Sequence, residues 1–140
     1  MFLNEYKFND IYIGMEESFS VIVTEKMLRS FFEITGDNNP LHCDENYSKE
    51  CGYRTKVCYG MLTASFLSTL AGVYLPGKNS LIHGIDIEFP NPVYVGDKLT
   101  ITGKVSKKDD KFKCIIVKVI ILNQHNQKVC RGKMQIGVMM

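Results

Sequence analysis

A chain of 140 residues, 45% hydrophobic and 23% charged, can bury one ordinary core without disulfides or a structural metal. A formal net charge of +2, with its lysines scattered, excludes the concentrated basic surface that nucleic acid or an anionic membrane requires. Cys43, Cys51, Cys58, Cys114 and Cys130 are odd in number and include no CxxC pair and no zinc-like spacing, which suits a reducing compartment.

The opening MFLNEYKFND lacks the basic start and apolar run of a secretory signal, so a cytoplasmic location is expected. SFSVIV (Ser18 to Val23) reads as a short strand. Thr24 is placed to cap a helix whose apolar side carries Met27, Leu28, Phe31, Phe32 and Ile34. Gly36 falls where a helix end wants a left-handed residue. Asp37 to His42 then form a loop stiffened by Pro40, followed by a short helix at about Glu45 to Cys51 that Gly52 stops.

Val57 to Gly77 holds no charged residue over 21 positions, close to a membrane-spanning length. Its tyrosines, threonines, serines, glycines and Pro76 fit a helix buried inside a globular protein better, at about Met61 to Leu75. IDIEF (Ile85 to Phe89) and LTITGKV (Leu99 to Val105) alternate as strands do. Phe112 to Leu122 is apolar on both faces, and Val129 to Val138 closes the series, with KKDDK and NQHNQK as hairpin turns. Strands of this kind after a buried helix predict one α+β domain over residues 1–140, an antiparallel sheet curled around that helix. Hairpins at Phe112 to Val138 would leave apolar edges in a single chain, which predicts at least a homodimer.

The chemistry gathers in TGDNNPLHCD, Thr35 to Asp44, which puts a carboxylate, two carboxamides, a proline and an imidazole in one turn. Such a loop serves turn geometry alone, or it holds Asp37 and His42 as an acid/base pair. CYGML (Cys58 to Leu62) adds a second element, because Gly60 stands at the first turn of the buried helix. Unpaired amides and a positive dipole end there can hold an oxyanion. GVYLPGKNS (Gly72 to Ser80) nearly matches a phosphate loop, but it leaves a helix instead of leading from a strand into one, and Asn79 replaces the hydroxyl residue.

Taken in order, TGDNNPLHCD, YGML, LPGKNSLIHG and FPNPVYVGD resemble the MaoC-like (R)-specific enoyl-CoA hydratases and dehydratases, from about Tyr6 to Gln135. The resemblance implies a single hotdog domain, a curved antiparallel β-sheet wrapped around a long central α-helix. It implies Asp37 and His42 as the catalytic pair and the Gly60 amide as oxyanion donor. Asn39 and Ser68 are implied as supporting residues, Ser68 by bracing the aspartate. Tyr59 stands where the family usually has histidine, and its hydroxyl is the expected substitute. The implied reaction is reversible syn hydration of a trans-2-enoyl-CoA, with no metal or redox cofactor. A dehydratase acting on acyl-carrier-protein thioesters and a non-catalytic acyl-thioester binder are the alternatives. Arg54, Lys56 and Lys78 are equal candidates for the phosphates of coenzyme A.

Overall fold

A computed structural model describes residues 1–140. Strand β1, Glu16–Ile22, alternates exposed and half-buried residues, with Phe19 and Val21 turned inward, and Thr24 then caps helix α1, Glu25–Thr35, by accepting from the Met27 amide. Gly36 closes α1 in the left-handed region at φ 72°, where a side chain would be strained. Of the apolar side expected for α1, Leu28 is buried, whereas Ile34 is 82% exposed because it lies in the last turn, beyond the core.

Two short helices follow, α2 over Pro40–Cys43 and α3 over Glu45–Glu50. The expected loop therefore contains a helical turn. Asn39 caps it through its side chain, and Pro40, at the first position, has no amide to leave unpaired. Helix α4, Gly60–Thr69, is shorter than the Met61 to Leu75 expected, since Leu70–Tyr74 continue it as a π-helical turn in which the Leu75 amide reaches back to the Leu70 carbonyl. Both segments are largely apolar and uncharged, so hydrophobicity could not mark the boundary between them. No helix is long and apolar enough to cross a membrane.

Strands β2 (Ser80–Glu88), β3 (Lys98–Asp109), β4 (Cys114–Leu122) and β5 (Lys128–Val138) complete an antiparallel sheet in the order β1-β3-β4-β5-β2. The hairpin β4–β5 lies inside this order, so the apolar edge expected there is covered. The open edges are β1 and β2. Leu70 packs over Gly103, where a Cβ would stand 2.8 Å from its Cδ2, so the glycine admits the helical segment onto the sheet. Leu67, Leu70, Ala71 and Leu75 join Ile101, Val117, Ile121 and Met134 in one core cluster.

On the sheet's other face, Glu16, Lys104, Lys118, Lys133 and Asp86 lie directly opposite one another across all five strands. They line a shallow depression of about 950 Å³, and the three lysines make no ion pair there.

Candidate active site

The turn after α1 is built by short-range hydrogen bonds. The Thr35 hydroxyl donates to the Phe31 carbonyl and accepts from the Asp37 amide. Asp37 Oδ1 accepts from the Asn39 amide at 3.1 Å, and Oδ2 has no partner. Asn39 Oδ1 accepts from the Leu41 amide, which starts α2 and carries His42 round to the side of Asp37. The Val57 amide bonds to the Leu41 carbonyl, so the strap leading to α4 is tied to the same turn.

His42 Nδ1 lies 2.6 Å from the Val57 carbonyl oxygen. A carbonyl only accepts, so Nδ1 carries the proton and Nε2 is the ring nitrogen left for chemistry. The His42 ring packs on Tyr59 with centroids 4.2 Å apart. The Tyr59 hydroxyl donates to the Asp37 carbonyl at 2.8 Å and holds the aspartate's backbone from the far side of the turn. Burial pushes this phenol up to about 12. It therefore stays a neutral donor across physiological pH.

Asp37, His42, Tyr59 and Gly60 line one cavity of about 490 Å³, completed by Phe31, Thr35, Met61 and Phe89. Gly60 opens α4, and Tyr59 before it offers no side-chain cap, so the Gly60 and Met61 amides have no acceptor, while the Leu62 amide turns back to the Tyr59 carbonyl. A Cβ at Gly60 would stand 3.8 Å from the Phe89 ring, an ordinary contact. Packing does not demand the glycine; what it does is leave the amide uncovered on the cavity side. Carboxylate, imidazole and open helix start thus face one space.

The MaoC like domain matches residues 11–127. This chain belongs to the MaoC-like family. An (R)-specific enoyl-CoA hydratase of Rhodospirillum rubrum is 32% identical over 105 residues, 72% of this chain and 73% of the relative. Another, of Aeromonas caviae, is 37% identical over 83 residues, 59% of this chain and 62% of its own length. The solved structure of the (R)-hydratase from A. caviae superposes with a TM-score of 0.87 at 26% identity, covering 91% of this chain and 97% of that one. These neighbours place the MaoC-like sheet and helix in the hotdog fold.

Of the site residues expected from sequence, Ser68 stands apart in this MaoC-like chain. It is exposed on the side of α4 that also carries Met61 and Ser65, beside β2, and it lines a separate cavity with Ile82 and His83. It does not meet Asp37 within one chain. The basic candidates also separate, since Lys78 pairs with Glu5 at 3.1 Å and Lys56 with Glu25 at 2.6 Å. Arg54 has no acidic partner and lies 4.4 Å over the Tyr94 ring. Phe31, Thr35 and Phe89 were missed as wall residues. Phe89 carried a signal as the aromatic opening FPNPVYVGD and Thr35 as the first residue of TGDNNPLHCD, whereas Phe31 read only as part of an apolar helix side.

Proposed function

We propose that this protein hydrates trans-2-enoyl-CoA reversibly to (R)-3-hydroxyacyl-CoA, with Asp37 and His42 as acid–base pair and the Gly60 amide as oxyanion donor. The observation that carries the reading is the shared cavity, in which carboxylate, imidazole and the uncapped start of α4 face one space. Hydro-lyases of this class are what the hydratase relatives are, and the family match agrees. Asp37 takes a proton from water as its oxygen bonds to C3. His42 acts in its doubly protonated form, with Nδ1–H held by the Val57 carbonyl. It delivers the Nε2 proton to C2, and the proton that Asp37 took from water then returns to Nε2, so one water is added and no proton is consumed. The Gly60 amide meets the enolate-like thioester oxygen. Acid–base groups contribute about 10²- to 10⁴-fold each and an oxyanion donor about 10²- to 10³-fold. The thioester itself acidifies C2, and no redox or metal cofactor enters these steps. Asn39 orders the turn, and Tyr59 takes over the bracing that the usual histidine would give.

The active assembly in this reading is a homodimer joined along β2 and the exposed side of α4. Leu81, Ile82, Ile85 and Met61 are 37–61% exposed there, an apolar strip at an open sheet edge. Ser68 lies on the same strip, and a second copy would bring it to the partner's site. Five unpaired thiols suit the reducing cytoplasm.

Incubation of purified protein with crotonyl-CoA tests the reading through loss of the enoyl absorbance. No loss by an intact dimer would overturn it. Faster turnover of the matching acyl-carrier-protein thioester would assign the physiological carrier to that protein.

A further inference from the structure

Lysines that lie far apart in the sequence are gathered by strand pairing on the face of the sheet turned away from α4. The register sets Lys104 opposite Lys118, and Lys118 opposite Lys133. Adjacent strands are about 4.8 Å apart, so three ammonium groups stand in a line roughly 10 Å long. Like charges directly opposite one another destabilise a sheet. Nothing in the chain relieves them. Glu16 and Asp86 close the row on β1 and β2, but neither forms an ion pair with a lysine. Two residues along β5, by contrast, Arg131 faces Glu88 and pairs with it.

The ground beside the row is apolar. Ile116 and Ile120 stand two residues to either side of Lys118 on the same face of β4, half-buried, and line the same depression. An arrangement that breaks a local rule without compensation inside the chain is expected where a partner supplies the compensation. That partner needs three negative groups in a line of about 10 Å, with apolar groups beside them. Glutamates at positions i, i+4 and i+7 of a helix are spaced about 5–6 Å apart and meet the first need, and leucines next to them meet the second. Nucleic acid fits poorly, because such binding recruits about 6–10 phosphates and the row ends in carboxylates on both sides. A small polyphosphate would satisfy the lysines and leave Ile116 and Ile120 uncovered.

We propose that this face is a docking surface for a short acidic amphipathic helix of another protein, with Lys118 as the central contact and Ile116 and Ile120 as its apolar ground. A homodimer joined along β2 would extend the sheet and leave the row open. The proposal goes beyond the hydratase reading and does not depend on it.

The probe is a labelled helical peptide with glutamates at i, i+4 and i+7 and leucines beside them; its glutamine version is the control. Fluorescence anisotropy should show the glutamate peptide binding the wild-type protein, more weakly as salt rises, because the lysines are exposed. Lys118→Glu should weaken binding at least about 10-fold, since attraction becomes repulsion, and Lys118→Gln about 2- to 5-fold. Without peptide, Lys118→Gln should raise the melting temperature by roughly 1–3 °C at low salt, a gain that shrinks at high salt. Equal binding of the glutamine peptide, or binding that Lys118→Glu leaves intact, would overturn the proposal. So would a melting temperature that Lys118→Gln does not raise, because the lysines would then be relieved by water alone. Tighter binding of tripolyphosphate, a single-stranded oligonucleotide or phosphatidylserine vesicles would overturn it in favour of that anion.

Discussion

The turn between Thr35 and Tyr59 and the strip formed by α4 and β2 are neighbours of opposite character. In the turn, the polar groups of Thr35, Asn39, His42 and Tyr59 find partners within the same chain, which leaves Asp37 Oδ2 and His42 Nε2 as the atoms on offer. On the strip, Met61 is 61% exposed and Leu81 56%, and the backbone of β2 is unpaired along one edge. The acid–base geometry is thus a local property of one chain. In the proposed homodimer the enclosure of the site is not, because a second copy would supply the covering surface.

Substitutions in the turn should break the first half of this contrast with the largest effect. Asp37→Asn and His42→Ala should each lower turnover of crotonyl-CoA by roughly 10²-fold or more while dimer mass and circular dichroism stay unchanged. Because the two groups act in one event, the double variant should lose far less than the product of the single losses. Near wild-type rates for Asp37→Asn would reduce the turn to good local geometry.

The strip is tested by charge. Ile85→Lys places an ammonium on the open edge, and light scattering should then report a mass near 16 kDa instead of twice that value. Hydration should fall with the mass, by roughly 10-fold or more, since enclosure and positioning are lost together. A fully active monomer would break the comparison from the other side.

Tyr59→Phe is milder, removing only the donor to the Asp37 carbonyl. About 1 kcal/mol of stability and a several-fold loss of turnover are expected, while Tyr59→His should keep or raise activity. The smallest effect is one of pH. The phenol's pKa is raised in the folded chain from 10.0 to about 12, so folding favours its neutral form. That contribution is complete below pH 10 and is lost as pH rises from 10 to 12. Melting temperatures over this range should fall more steeply for wild type than for Tyr59→Phe.

The sheet and its hairpins were legible because strand periodicity and turn residues are local signals, and Thr24, Gly36 and Asn39 behave as their chemistry demands. The grouping of Asp37, His42 and Gly60 was legible only through the order of four motifs, since 22 residues separate the Tyr59 hydroxyl from the carbonyl it holds. Two features were not legible. Leu70 to Tyr74 carry the same apolar residues an α-helix would, so their π-helical winding leaves no mark on composition. Which strand forms an edge depends on pairing between distant segments, so β2 at the rim could not be read from its own nine residues.

The row of lysines on the sheet's outer face acts on how copies of the protein can meet. Two sheets stacked back to back over this row would set Lys118 against Lys118 at its centre, with Lys104 and Lys133 on either side. Like charges so placed repel, and within about 8 Å at physiological ionic strength they do so with little screening. Glu16 and Asp86 stand only at the ends and cannot reach the middle of the row. The row therefore works as a directional repellent against face-on stacking, a barrier that the apolar residues Leu81, Ile82 and Ile85 at the β2 rim do not raise.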